Sequence, residues 1–130
     1  MIKFAYTILY VQDVIRSVAF YTKAFGFASK FVSPDNEYAE LSAGETTLSF
    51  ASVAMAKSNL KDGFVESSLS NRPFGIEIGL STENVAQSVE SALHAGAILV
   101  EKPKTKPWGQ TVAYVRDPDG FLIELCTPMA

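Results

Sequence analysis

The feature that most constrains the fold of this chain is an internal repeat. QDVIRSV at residues 12–18 matches ENVAQSV at residues 83–89, so that Asp13 stands opposite Asn84 at an offset of 71 residues. Either side chain suits a helix N-cap, because a short side-chain oxygen accepts from the free backbone N–H groups of the first turn. An internal repeat is a stronger guide to the architecture of a chain than the secondary-structure propensity of any single segment. The chain is therefore expected to build the same unit twice.

Each copy of this helix is flanked by short stretches rich in apolar residues, which are typical of strands. One strand is predicted before each helix and three after it, so each half predicts a βαβββ module. The modules are expected at 1–54 and 74–130, in one domain of 130 residues. Residues 55–73 are polar and lack clear periodicity, which favours a linker or a mobile arm. The strand sequences are FAYTILYV, FASKFV, EYAELS and TTLSFASV, then GIEIGLS, AILVEK, QTVAYVR and FLIELC.

Composition excludes several classes of protein. The formal charge is −3, and the 11 basic residues are scattered, so no nucleic-acid partner is expected. The apolar N-terminal run is too short for a membrane span and lacks a small-residue cleavage site, so no membrane partner and a cytoplasmic location are expected. The single cysteine, Cys126, cannot form an intramolecular disulfide and is expected to be a buried structural thiol.

Strand alternation predicts where a ligand would bind. Side chains alternate along a strand, so Leu9 and Tyr6 take opposite sides of the first strand. Ile123 and Glu124 likewise take opposite sides of the last one. If the helices cover the Leu9 and Ile123 sides, the other face is concave, partly apolar, and carries Tyr6, Glu77 and Glu124. A mostly hydrophobic surface with a few polar groups is typical of a ligand cleft.

The order of these motifs resembles the vicinal oxygen chelate superfamily, which includes glyoxalase I, extradiol dioxygenases and bleomycin-resistance proteins. The resemblance covers nearly the whole chain. It implies an α+β fold in which two βαβββ modules form a curved mixed sheet around a concave cleft, with the helices outside. It also implies a small-molecule ligand and a homodimer. The residues that carry it are ILYVQDVIRSVAFYTKAFGF, ENVAQSVESALHAGA followed by EKP, and PWGQTVAYVRDPDGFLIEL.

The resemblance also assigns metal positions. Metal-using members place His, Glu or Gln on the first and last strands of each module, and the matching positions here are Tyr6, Ser49, Glu77 and Glu124. Tyrosine is a poor ligand unless deprotonated and serine is a weak neutral one, so no metal cofactor is expected. His94, at the end of the second helix, is not expected to be a ligand. In the alternative, Glu77 and Glu124 hold a divalent metal such as Mg, Mn, Ni or Zn.

Both carboxylates also admit a purely structural role. A buried carboxylate without a partner costs several kcal/mol or becomes neutral, so each is expected to have a hydrogen-bond donor. The hydroxyl of Tyr6 is the candidate donor to Glu124 across the cleft. Lys102, Lys104 and Lys106 flank the PWGQ stretch, and a lysine run of this kind is more typical of a solvated loop than of an anion site.

Two functions follow from the resemblance. The first is a metal-independent protein of the bleomycin-resistance type, which holds an aromatic or amphipathic ligand in the cleft. The second is a metal-dependent glyoxalase-like lyase or isomerase, in which Glu77 or Glu124 is the general base that moves a proton next to a carbonyl. The incomplete ligand set favours the binding protein. Its expected ligand contacts are Tyr6, Tyr10, Ser49, Trp108 and Tyr114.

Overall fold

The computed structural model of the chain describes residues 1–129. Contacts divide the chain into two compact units, a first unit of residues 1–22 and 26–66 and a second unit of residues 23–25 and 67 onward. No helix within residues 1–129 is long and apolar enough to cross a membrane. The cytoplasmic location and the single-domain arrangement stay predictions.

Each unit contains one four-stranded sheet, and both sheets have the same topology. The first module consists of β1 Thr7–Val11, α1 Val14–Phe25, β2 Ala28–Val32, β3 Tyr38–Ala43 and β4 Thr46–Ser52. The second consists of β5 Glu77–Ser81, α3 Val85–Ala95, β6 Ile98–Thr105, β7 Thr111–Arg116 and β8 Leu122–Cys126. The strand orders are β1-β4-β3-β2 and β5-β8-β7-β6. β1 pairs with β4 and β5 with β8 in parallel, and the other neighbours are antiparallel. The predicted α+β fold of two βαβββ modules is confirmed.

The ends of the two repeated helices are fixed by the same local chemistry. Asp13 and Asn84 are the N-caps, and each side chain accepts from the backbone N–H three residues further on, at 3.1 and 3.0 Å. Gly26 and Gly96 are the C-caps, with φ of 74° and 117°. These left-handed conformations favour glycine because it has no Cβ. The repeat in sequence is therefore a repeat in helix boundaries.

A short third helix, α2 Val53–Asn59, follows β4 directly and had not been predicted. Ser52 is its N-cap and accepts from the N–H of Met55 at 3.0 Å. The helix extends into the segment 55–73, which the sequence indicated to be irregular. With only seven residues, the helix is too short to show a clear period.

Burial alternates along the strands and separates two faces of each sheet. Leu9 and Val11 are buried while their neighbours on β1 are half-buried, and Ile123 and Leu125 are buried between half-buried residues of β8. In the second unit, α3 contacts β6, β7 and β8 and buries Val85, Val89 and Ala92. Each of the two valines contributes roughly 1.5–3 kcal/mol when fully buried. The Glu124 face of β8 is therefore the face opposite the buried one.

The turn between β7 and β8 holds the segment that leads into β5. Arg116 is buried, and its guanidinium donates to the carbonyl oxygens of Gly120 at 2.9 Å and Ser68 at 3.0 Å. The Asp117 carboxylate accepts from the backbone N–H groups of Asp119 and Phe121, each at 2.9 Å. The C-terminal part of the segment 55–73 is thereby tied to the second sheet.

Candidate active site

The strand register shows which positions of the two modules are equivalent. Ser49 on β4 lies opposite the β1 residue two places after Tyr6, and Glu124 on β8 lies opposite the β5 residue two places after Glu77. Side chains two residues apart on a strand share a face. Tyr6 therefore corresponds to Glu77, and Ser49 corresponds to Glu124, as the offset in sequence indicated.

In the second unit, three polar side chains lie together on the face opposite the buried one. Tyr114 on β7 stands directly opposite Glu124 on β8, and its hydroxyl donates to the Glu124 Oε1 at 3.0 Å. The donor to the Glu124 Oε1 is thus Tyr114, and donation by Tyr6 to Glu124 stays a prediction. Gly79 stands opposite Glu124 on β5, and a Cβ built there would be in van der Waals contact with the Glu124 Oε2, at 3.9 Å. We call Glu77, Tyr114 and Glu124 the carboxylate cluster.

The carboxylate cluster shifts the ionisation of its own members. Partial burial raises the pKa of Glu77 above its usual value, the negative charge of Glu124 raises it further, and a hydrogen bond with Tyr114 opposes the change. Burial and then the hydrogen bond to Glu124 raise the pKa of Tyr114 to about 12. Tyr114 is therefore a neutral donor at ordinary pH, while Glu77 is a stronger base than a free carboxylate.

Cys126 lies beside the same cluster. Its side chain is half-buried, rather than fully buried as the sequence indicated. Burial raises the pKa of the Cys126 thiol, and a hydrogen bond with Glu124 and the charges of Glu124 and Glu77 raise it further. The thiolate is the reactive form of cysteine, so this environment keeps the thiol protonated and unreactive.

The first unit carries a different polar cluster at the equivalent place. Ser49 is fully buried, and its Oγ lies 3.2 Å from the hydroxyl of Tyr38, which also lies 2.8 Å from the Glu40 Oε2. Glu40 stands opposite Ser49 across β3 and β4, just as Tyr114 stands opposite Glu124. The first unit therefore carries its carboxylate, Glu40, on β3, whereas the second unit carries Glu124 on β8, the counterpart of β4. Aligning YAEL at residues 38–41 with VAYV at residues 112–115 would have identified Glu40.

The aromatic residues expected to contact a ligand are distributed over both units. Tyr10, in the first unit, packs against Phe64 with ring centroids 4.7 Å apart. Tyr6 is exposed and precedes β1. Trp108, in the second unit, is 62% exposed in the turn between β6 and β7, and its indole N–H donates to the Gln110 Oε1 at 2.9 Å. Their role in ligand binding stays a prediction.

The carboxylate cluster offers only part of a metal site. Within residues 1–129, no group of three His, Cys, Asp or Glu side chains is placed to hold a metal ion. Tyr114 keeps its proton and donates it to Glu124, so it is not a ligand. His94 lies in the last turn of α3. Two carboxylates fit a hard divalent ion that keeps most of its water, and they do not fit catalytic zinc, which takes three protein ligands.

Comparison with known proteins gives one consistent family. The family model described as "Glyoxalase/Bleomycin resistance protein/Dioxygenase superfamily" matches residues 3–125. A lactoylglutathione lyase of Salmonella typhimurium is 32% identical over 127 residues, which are 92% of this chain and 88% of that protein. A putative lactoylglutathione lyase of Brassica oleracea var. gemmifera is 30% identical over 95% of this chain, and the chain spans only 43% of its length.

The same fold occurs in solved structures. A glyoxalase-related enzyme from Fulvimarina pelagi superposes with a TM-score of 0.83 at 24% identity, over 98% of this chain and 89% of that one. At this identity the likeness shows the fold.

Proposed function

The chain belongs to the Glyoxalase/Bleomycin resistance protein/Dioxygenase superfamily, and we propose that it is a glyoxalase-like lyase or isomerase. In this proposal, Glu77 and Glu124 move a proton on a carbon next to a carbonyl group. The observation that carries the proposal is the carboxylate cluster, in which Glu77 has a raised pKa and Tyr114 fixes Glu124. The lactoylglutathione lyase names among the relatives support the same chemistry.

Glu77 is the proton acceptor in this proposal. Its side chain is exposed on the sheet, so a substrate can reach it, and in the metal-free protein its raised pKa brings it closer to neutral pH. A base whose pKa lies near the working pH is the most effective, and such a group contributes roughly 10²–10⁴-fold to the rate. In an α-hydroxy carbonyl substrate, the proton leaves the carbon next to the carbonyl, is held on the carboxyl, and returns to the carbonyl carbon. The hydroxyl proton of the first carbon passes to the former carbonyl oxygen, so the reaction is an isomerisation.

Tyr114 positions Glu124 rather than taking the proton itself. With a pKa of about 12 its hydroxyl remains protonated, so it holds the Glu124 Oε1 at 3.0 Å throughout the pH range of the reaction. The second oxygen of Glu124, Oε2, lies next to Gly79. A negative charge fixed there also keeps the pKa of Glu77 raised.

A divalent metal is the cofactor that we propose, in place of the expectation of none. The names of the relatives fit the metal-dependent alternative, because the family resemblance implies a metal for that chemistry. Glu77 and Glu124 would supply the carboxylate ligands of a hard ion, which would polarise the substrate carbonyl.

The metal-independent binding protein is the second candidate. It is favoured because Tyr6 and Ser49, which are not charged, occupy two of the four positions that the resemblance assigns to metal ligands. The exposed indole of Trp108 also favours it. A homodimer stays a prediction.

The experiment is a turnover assay with methylglyoxal and glutathione on the metal-stripped protein, supplied in turn with Mg²⁺, Mn²⁺, Ni²⁺ and Zn²⁺. We expect formation of lactoylglutathione with at least one ion, and a fall in kcat of roughly 10²-fold or more in Glu77→Gln. Glu90→Gln, which neutralises an exposed carboxylate on α3, is the matched control and should keep full activity. Glu77→Gln turning over as fast as Glu90→Gln would remove Glu77 from the mechanism. Absence of turnover with every ion would favour the binding protein.

A further inference from the structure

The first unit carries one carboxylate beside aromatic side chains, on the face of its sheet that points away from the core. Glu40 on β3 stands directly opposite Phe31 on β2. Tyr38 lies two residues before Glu40 on the same strand, so the two side chains share a face. Ala39 and Leu41 take the other face and are fully buried. We call Phe31, Tyr38 and Glu40 the Glu40 cluster.

A bulge in β2 brings Phe31 to this face. Ser29 stands opposite Leu41 and Phe31 stands opposite Glu40, so two steps along β2 match one step along β3. In a regular strand Ser29 and Phe31 would both take the face of Leu41, because side chains two residues apart point the same way. Bulges re-aim side chains in this manner and are frequent next to active sites. The ring of Phe31 is thereby turned away from the core and is 48% exposed.

The Glu40 carboxylate has a hydrogen-bond donor and no cationic partner. The hydroxyl of Tyr38 donates to the Glu40 Oε2 at 2.8 Å, and within residues 1–129 no lysine or arginine is ion-paired with Glu40. Lys30, the extra residue of the bulge, donates instead to the Thr47 Oγ1 at 3.0 Å. Glu66 of the same unit is by contrast paired with Lys57 at 3.0 Å. The negative charge of Glu40 is therefore available to a cation that comes from outside the chain.

The two rings of the cluster favour an organic cation. Their centroids lie 6.4 Å apart and their planes are inclined at 49°, so they form two walls beside the carboxylate. An aromatic face attracts a cation that lies within about 6 Å of its centroid, and substituted ammonium groups are the ligands that use this contact most. A hard metal ion requires more oxygen ligands than a single carboxylate and a hydroxyl provide. The chemistry of the cluster thus points to an ammonium group.

We propose that the Glu40 cluster binds the substituted ammonium group of a small organic cation. The Glu40 carboxylate neutralises the positive charge, while the rings of Phe31 and Tyr38 contact the alkyl substituents. The formal charge of −3 on the whole chain also favours cations over anions at its surface. This site does not depend on the proposed lyase, since Glu77 and Glu124 belong to the other unit.

The test is an NMR titration of the isotope-labelled full chain, at constant ionic strength, with choline and with its uncharged isostere 3,3-dimethylbutan-1-ol. We expect choline to bind more tightly than the alcohol and to shift the amide signals of Phe31 and Glu40. Glu40→Gln should weaken choline binding by roughly two- to fivefold, as expected for one solvent-accessible charge. Phe31→Leu, which keeps an apolar side chain without a ring, should weaken it by a similar factor. Glu45→Gln, which neutralises an exposed carboxylate in the turn after β3, is the matched control and should leave binding unchanged.

Three results would overturn the inference. The first is equal affinity for choline and the alcohol, and the second is an equal effect of Glu40→Gln and Glu45→Gln. The third is choline binding that weakens in Glu124→Gln but not in Glu40→Gln, which would assign the cation to the carboxylate cluster. Absence of turnover in the lyase assay would refute the proposed function and leave this site standing, because the two experiments probe different units.

Discussion

Replacing Gly120 by alanine tests the turn that holds the second sheet to the segment before β5. A Cβ at this position would lie 2.7 Å from the Nη2 of Arg116 and 2.8 Å from the carbonyl carbon of Ser68. Backbone atoms cannot move as a flexible side chain does, so the contact between Arg116 and Ser68 has to open. The φ of 94° is also unfavourable for alanine.

The magnitude follows from two contributions. A left-handed conformation costs a residue with a Cβ about 1–2 kcal/mol, and losing one hydrogen bond of a buried charged group costs about 1–3 kcal/mol. Together they lower the free energy of unfolding by roughly 2–5 kcal/mol. For a domain of this size, each kcal/mol lowers Tm by about 3–5 °C, so we expect a fall of at least roughly 6 °C.

The assay is thermal unfolding of Gly120→Ala beside Gly44→Ala. Gly44 has φ of 72° in the turn between β3 and β4, and a Cβ there meets nothing within 4 Å. This control therefore carries the backbone strain without the clash, and it should lose only about 1–2 kcal/mol. Equal loss of stability in both variants would refute the reasoning, because it would show that Arg116 and Ser68 do not restrict the space at Gly120.

Three further predictions concern the carboxylate cluster. The raised pKa of Glu77 means that the folded protein binds its proton more tightly than the unfolded chain does. This contribution to stability is complete below the pKa of Glu77 in the unfolded chain and is lost as pH rises through its pKa in the folded protein. In urea unfolding, the free energy of unfolding should therefore fall less steeply with rising pH in this range for Glu77→Gln than for the parent chain. Tyr114→Phe removes the hydrogen bond that lowers the pKa of Glu77, so the acidic limb of the pH profile of kcat/KM should move to higher pH; an unchanged profile would contradict that role. A metal at one hundred times its Kd should add about 2.7 kcal/mol to the stability of the parent. A gain of the same size in Glu77→Gln and Glu124→Gln would place the metal elsewhere.

Much of the fold could be predicted from sequence because the signals for the helix ends are local and occur in both halves of the chain. Asp13 and Asn84 each carry their own capping chemistry, and the match between them gave the module without knowledge of any long-range contact. The same offset identified Tyr6 with Glu77, which the strand register bears out. Local capping signals and a repeated order of elements support each other, and such agreement across levels is what specifies a fold.

The parts that sequence could not supply depend on cross-strand register. The donor to Glu124 is Tyr114, ten residues away on the neighbouring strand, and only the pairing of β7 with β8 puts them opposite each other. Glu40 is hard to find in the sequence for the same reason, since only the pairing of β3 with β4 puts it opposite Ser49. The register of β6 against β7 shifts twice, between Leu99 and Glu101 and between Glu101 and Lys104. Such bulges cannot be read from the sequence, because they arise when the number of residues on one strand differs from the number on its partner.

The two bulges of β6 also affect how the protein behaves beside other chains. β6 is one edge of its sheet, and all eight of its residues are exposed, which makes it a potential template for an incoming strand. Pro103 lacks a backbone N–H, the bulges bend the strand, and Lys102 and Lys104 bring charge that a foreign strand would have to bury. These are the features by which sheet edges resist uncontrolled pairing. The bulges, the proline and the lysines of β6 thus protect the chain against edge-to-edge aggregation.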